Sequence, residues 1–219
     1  MIVHTPCGKD WVLVDIDRKL SQRARLPGAR VYDLAADALR LAKSKGLSDD
    51  VLFPLACPGS WLVNSPAAAT LFRRWVLPDR HVFLNLLSLF EPPSTGPLEP
   101  EIAAQLRVAV AALGKEPYLV EALSKVLALL IPHAIPLMPP LAVSFVLGPE
   151  AVSDADAFVA MTTWFGGAVE HHWDGLSTAA AAHGEVPLDA AQVLDRLLWF
   201  DSDGFKHFPA PEPTPRAAT

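Results

Sequence analysis

The sequence predicts an all-α protein of about eight helices with a short β-hairpin at its N-terminus. Three observations lead to this fold class. Apolar residues recur at helical spacing along most of the chain, these stretches end at glycine or proline, and no regular strand–helix alternation occurs. With 51% hydrophobic and 19% charged side chains, the 219 residues suffice for a sizeable core and exclude a disordered chain.

The hairpin and the first helix are predicted from the N-terminal residues. Two short apolar runs, residues 2–4 and 11–14, lie on either side of a Pro-Cys-Gly turn at residues 6–8. A hairpin of this size is only marginally stable alone, so we expect it to pack on helices. The helix that follows ends at Gly46, and its apolar stripe consists of Val31, Leu34, Ala35, Ala38, Leu41 and Ala42.

The middle of the chain contains two helix starts and a loop. A Ser-Pro pair at residues 65–66 supplies an N-cap followed by proline in the first turn, and residues 78–90 form the next helix. Residues 91–100 contain four prolines and one glycine, which is typical of a loop. This loop is the expected boundary if the single helical domain of residues 1–208 divides into two sub-domains.

The C-terminal half contains the remaining predicted helices. Their apolar stripes and stop signals place them at residues 102–113, 118–131, 140–147, 153–182 and 188–200. In the longest of these, a kink or a close helix contact is expected at Gly166-Gly167. Residues 209–219 contain four prolines and no large apolar side chain, so they are predicted to form a flexible tail.

One uncharged segment has the length of a membrane span. Residues 126–147 lack Asp, Glu, Lys and Arg, but four prolines interrupt them and would leave backbone groups unpaired in lipid. Two short buried helices joined by a proline-rich turn are therefore expected. The N-terminus lacks a signal-peptide pattern, and Cys7 and Cys57 belong to no metal-binding pattern, so the expected protein is cytoplasmic with reduced thiols.

Positive charge is concentrated near the N-terminus of a chain whose net charge is −6. Residues 1–45 contain nine Lys and Arg against five Asp and Glu, and no acid interrupts the run from Arg18 to Arg30. Such a run can bind phosphate, or it can pair with acids of the same chain. The candidate nucleic-acid-binding residues are Arg18, Lys19, Arg23, Arg25, Gly28 and Arg30.

Two stretches carry a resemblance to a known group of proteins. Leu-Pro-Gly-Ala-Arg at residues 26–30 has the outline of a helix-hairpin-helix turn, in which backbone N–H groups hold a phosphate. The second stretch, with Ser-Lys and Ile-Pro steps in residues 123–139, resembles a segment of uncharacterised bacterial helical proteins similar to helix-hairpin-helix DNA glycosylases. The resemblance implies a helical core that binds duplex DNA. Met138 and Pro139 stand where such glycosylases have their catalytic Asp, which argues against base excision.

The densest cluster of metal-ligating side chains lies near the end of the longest predicted helix. Glu170 and Asp174 are four residues apart and share a helix face, while adjacent His171 and His172 point about 100° apart. A Zn²⁺ or Fe²⁺ site with one histidine is one interpretation. The other is that His172, on the apolar stripe, is a histidine of the core.

Common catalytic signatures are missing from the sequence. It contains no Walker A loop, no GxGxxG, no HExxH and no GxSxG or SxxK. We therefore expect a non-catalytic helical module that binds a protein partner and needs no cofactor. The alternatives are a nucleic-acid-binding protein acting through residues 18–30, and a small-molecule or metal-dependent enzyme with a pocket between helices. A membrane-embedded protein is not expected.

Overall fold

The computed structural model describes residues 1–61, 80–90, 96–112, 117–183 and 188–202. Within these ranges the chain forms ten helices and one two-stranded antiparallel sheet, which confirms the predicted fold class. The helix predicted from residue 65 and the tail at 209–219 lie outside the described residues.

The N-terminal hairpin packs against the helices, as expected. Strand β1 (Ile2–His4) pairs with β2 (Asp10–Val12), and Val3 lies opposite Trp11. Both side chains are buried, while Ile2 and Val12 are exposed on the other face. The Trp11 indole meets the Phe145 ring edge-on at 5.7 Å between centroids, so the hairpin completes its core against a helix distant in sequence.

Four helices follow in the first half of the chain: α1 (Ile16–Ala24), α2 (Pro27–Ser44), α3 (Asp49–Trp61) and α4 (Arg80–Leu89). Helix α2 begins four residues before Val31, the first residue of the predicted apolar stripe, with Pro27 in its first turn. Helices α1 and α3 were not predicted from the sequence. Basic residues dominate α1, and α3 contains Pro54 and Pro58, which disfavour a helix interior.

Six helices follow: α5 (Pro100–Ala112), α6 (Pro117–Leu130), α7 (Pro140–Leu147), α8 (Ala155–His171), α9 (Trp173–Ala182) and α10 (Ala190–Ser202). The prediction of a single helix across residues 153–182 is wrong. The helix is interrupted at His172, which separates α8 from α9. Gly166 instead permits a close approach: a Cβ there would lie 1.9 Å from the Gly96 carbonyl oxygen.

The core is one connected cluster of buried side chains from elements on both sides of residues 91–100. Helix α10 packs against α1, α7, α8 and α9, while α6 packs against α2 and α3. Fully buried Phe53, Phe158 and Phe165 belong to this cluster. The first and second halves of the chain therefore share their hydrophobic contacts.

The proline-rich turn between α6 and α7 is held by two side chains. The backbone N–H of Leu137 donates to the Asp195 carboxylate at 2.7 Å, and that of Met138 donates to Ser124 Oγ at 3.1 Å. Both residues of the turn are buried, so these bonds satisfy donors that would otherwise be unpaired. No helix in the described part of the chain combines the length and apolar character needed to cross a bilayer.

The approach of Gly96 to α8 gives the first testable prediction. Gly166→Ala is expected to lower the free energy of unfolding by about 1–3 kcal/mol, since its methyl group would overlap the Gly96 backbone. Gly167→Ala is the matched control, because its Cβ would have only ordinary contacts with Pro97 at 3.8 Å. Urea denaturation of the two variants measures the difference. Equal stabilities would contradict the close approach.

Candidate functional site

A cavity of about 560 Å³ lies between α2, α3, α6 and the N-terminal end of α10. Its volume falls within the range of about 300–1,000 Å³ that is typical of small-molecule pockets. Among the described residues its apolar wall consists of Ala36, Leu39, Leu52, Phe90, Leu129, Leu130, Ile131 and Pro132. These residues come from widely separated parts of the chain, so only the folded protein forms this wall.

The mouth of this pocket is polar. Arg40, Lys43 and Ser44 of α2 line it, together with His133, Asp189 and Gln192. The α2 cations are each paired with a carboxylate: Arg40 with Asp37, and Lys43 with Asp49 at 3.3 Å. The Arg40 side chain is 54% exposed and that of Lys43 is 44% exposed. Exposed pairs of this kind contribute about 0–1 kcal/mol, so other anions can compete for the two cations.

One edge of the pocket mouth is fixed by the start of α10. Asp189 Oδ1 accepts the Gln192 N–H at 2.7 Å, and Gln192 Oε1 accepts the Asp189 N–H at 3.1 Å. This is a reciprocal capping box, which satisfies two backbone donors at the helix terminus. The Asp189 carboxylate therefore has a structural role at this position.

A buried ionic cluster lies behind the pocket. Arg23 Nη1 of α1 donates to both Asp33 oxygens of α2, at 3.0 and 3.1 Å, and Arg196 Nη2 of α10 donates to Asp33 Oδ1 at 3.0 Å. Arg23 is only 4% exposed, and its guanidinium lies over the Trp199 ring. A second cavity of about 20 Å³ adjoins the cluster and shares Ala36, Pro132 and Gln192 with the pocket.

The ionisable groups of this cluster are strongly affected by burial. Burial raises the pKa of Asp195 to about 6, although the Leu137 N–H and the arginines favour its charged form. Burial likewise raises the pKa of Tyr32, whose hydroxyl donates to the Lys125 carbonyl at 3.4 Å, and lowers the pKa of Arg196. The adjoining cavity holds about one water molecule, so it has no room for a substrate beside Asp195.

The structure divides the candidate nucleic-acid-binding residues into two groups. Lys19 and Arg23 are buried: Lys19 Nζ lies 2.6 Å from Asp201 Oδ2, and Arg23 belongs to the ionic cluster. Arg18, Arg25 and Arg30 are exposed, and Arg18 pairs with Asp15 at 3.0 Å. Gly28 lies in the first turn of α2. Three of the five cations therefore remain at the surface, which leaves a smaller positive patch than the sequence indicates.

The candidate metal ligands do not converge on one point. The exposed Glu170 carboxylate lies beside Gly96, and the His171 and His172 rings meet edge-on at 4.6 Å at the break between α8 and α9. Asp174 is in the first turn of α9. Burial and the neighbouring His171 lower the pKa of half-buried His172. Within the described residues, no three His, Cys, Asp or Glu side chains are placed to hold a metal ion.

The pocket and the ionic cluster were not predicted from the sequence, although Arg23 of the cluster was named there as a candidate nucleic-acid contact. One available signal was the spacing of Lys19 and Arg23. They are four residues apart and lie on the same face of α1, which is the face that buries Leu20. The acids of α10, Asp195 and Asp201, were the complementary signal. No protein-family model matches the chain, and no curated protein or solved structure is significantly similar to it.

The raised pKa of Asp195 predicts how stability depends on pH. Between the ordinary value of 3.8 and about 6, the folded protein retains a proton that the unfolded chain has released. This contribution to stability is therefore present at low pH and is lost as the pH rises. Relative to Asp195→Asn, the wild type is expected to lose about 2–2.5 kcal/mol of unfolding free energy between about pH 4 and pH 7.

Chemical denaturation of both proteins across this pH range measures the difference. The contributions of titrating groups that do not interact with Asp195 cancel, because they are common to the two proteins. The amide oxygen of Asn can still accept the Leu137 N–H, so the variant retains the local geometry. A stability difference that does not change with pH would contradict the assignment.

Proposed function

We propose that the protein is a non-catalytic binding module that holds a small, largely apolar organic molecule in the pocket between α2, α3 and α6. The cavity of about 560 Å³ with its apolar wall carries this proposal. The pocket opens to solvent at its polar mouth and combines a mainly apolar lining with a few polar side chains. Concave sites of this size and lining are typical of small-molecule binding, which supports the proposal.

The polar groups at the pocket mouth favour binding over catalysis. Among the described lining residues Ser44 has the only side-chain hydroxyl, and it donates to the Leu41 carbonyl at 2.8 Å. The Asp189 carboxylate caps α10. Ser44 as a nucleophile would need a hydrogen bond to a base, but Ser44 and Asp189 are each bonded to the backbone and not to each other. The protein partner and the nucleic-acid contact through residues 18–30 expected from the sequence stay predictions.

Filling the pocket is expected to abolish the binding of an apolar probe. The neutral dye N-phenyl-1-naphthylamine should bind the wild type saturably with increased fluorescence. Ala36→Leu adds apolar volume to the pocket wall and should weaken dye binding by about tenfold or more. Ala38→Leu is the matched control, because Ala38 is exposed on the same helix and does not line the pocket.

A second variant that fills the pocket from its mouth keeps the proposal testable if Ala36→Leu does not fold. Ser44→Trp places a large side chain at the exposed mouth of the pocket, and circular dichroism checks the helical content of each variant. The proposal fails if the wild type shows no saturable dye binding. It also fails if both filled variants, still folded, bind the dye as tightly as the Ala38→Leu control.

A further inference from the structure

The charges at the pocket mouth allow the class of ligand to be named, on the premise that the pocket is a binding site. We infer that the ligand is an organic anion, a carboxylate with an apolar body, whose headgroup binds Arg40 and Lys43. Both cations line the pocket and lie three residues apart on one face of α2. A molecule with its apolar body against Leu39 and Leu52 would place its polar end beside them.

The present partners of the two cations can be exchanged for such a headgroup. Asp37 pairs with Arg40 from one turn earlier on the same helix, and Asp49 contacts Lys43 at 3.3 Å. Arg40 and Lys43 both have side chains more than two-fifths exposed, so water screens these pairs. A ligand carboxylate would form charge-assisted hydrogen bonds to both cations at once, and Arg40 can bind it in a bidentate manner.

The remaining ionisable groups at the mouth are compatible with an anion. The third formal charge among the described lining residues is Asp189, whose Oδ1 already accepts the Gln192 N–H at 2.7 Å. His133 lines the same mouth, and its imidazole adds no negative charge there. An ammonium headgroup would lie beside two cations, so the arrangement disfavours cationic amphiphiles.

Three probes with one alkyl chain test the charge preference. Octanoate, 1-octanol and octylammonium are compared by their displacement of the neutral naphthylamine dye from the wild type. Octanoate is expected to bind about tenfold more tightly than 1-octanol, and octylammonium more weakly than either. If 1-octanol or octylammonium binds as tightly as octanoate, the inference is overturned, although saturable dye binding would still support the pocket itself.

Charge-removing variants test the assigned residues. In Arg40→Gln/Lys43→Gln, the ratio of octanoate to 1-octanol affinity is expected to fall to about one. Lys45→Gln is the matched control: it removes an exposed charge at the end of α2 from a residue that does not line the pocket, and should leave the ratio unchanged. A folded double variant that retains the wild-type ratio would overturn the assignment to these two residues.

Discussion

The bridge that Asp33 makes between buried Arg23 and largely buried Arg196 is the constraint on which the arrangement of the helices depends. Its carboxylate accepts hydrogen bonds from Arg23 of α1 and from Arg196 of α10, so three helices meet at one side chain. Buried charges are costly unless they are paired, and breaking a pair leaves an uncompensated charge. The positions of α1, α2 and α10 relative to one another are therefore constrained by this bridge in addition to their apolar contacts.

Three further aspartates, on α10 or at its N-terminus, also hold other parts of the molecule in place. Asp201 accepts hydrogen bonds from Lys19 of α1 and from the Trp11 indole, at 2.6 and 2.8 Å, and so fixes the hairpin. Asp195 accepts the Leu137 N–H and so holds the proline-rich turn, which directly follows the pocket-lining residues 131–133. Asp189 begins the helix at the pocket mouth. One amphipathic helix thereby positions both the N-terminal elements and the candidate ligand site.

Local signals made most of the fold predictable. Prolines and glycines mark the ends of helices, and the bounds of α7 agree with those predicted from its flanking prolines and Gly148. The hairpin was predictable because two apolar runs flank a turn. The break at His172 was not, because apolar residues continue at helical spacing on both sides of it.

The candidate site could not be predicted for a different reason. The pocket wall combines residues from α2, α3 and α6, whose proximity depends on tertiary packing. The basic run of residues 18–30 indicated a phosphate-binding surface, but two of its cations pair with acids of the same chain. Lys19 pairs with Asp201, 182 residues away on α10, and Arg23 pairs with Asp33 on α2. A charge pattern in one segment does not reveal whether the matching charge lies in solvent or elsewhere in the chain.

The most direct test of this account compares two aspartates of α2 by chemical denaturation at neutral pH. Asp33→Ala is expected to lower the free energy of unfolding by about 3 kcal/mol or more, because Arg23 and the 13%-exposed Arg196 lose their shared partner. Asp37→Ala removes only the partner of exposed Arg40 and should cost less than about 1 kcal/mol. Equal losses in the two variants would contradict the central role of the buried bridge.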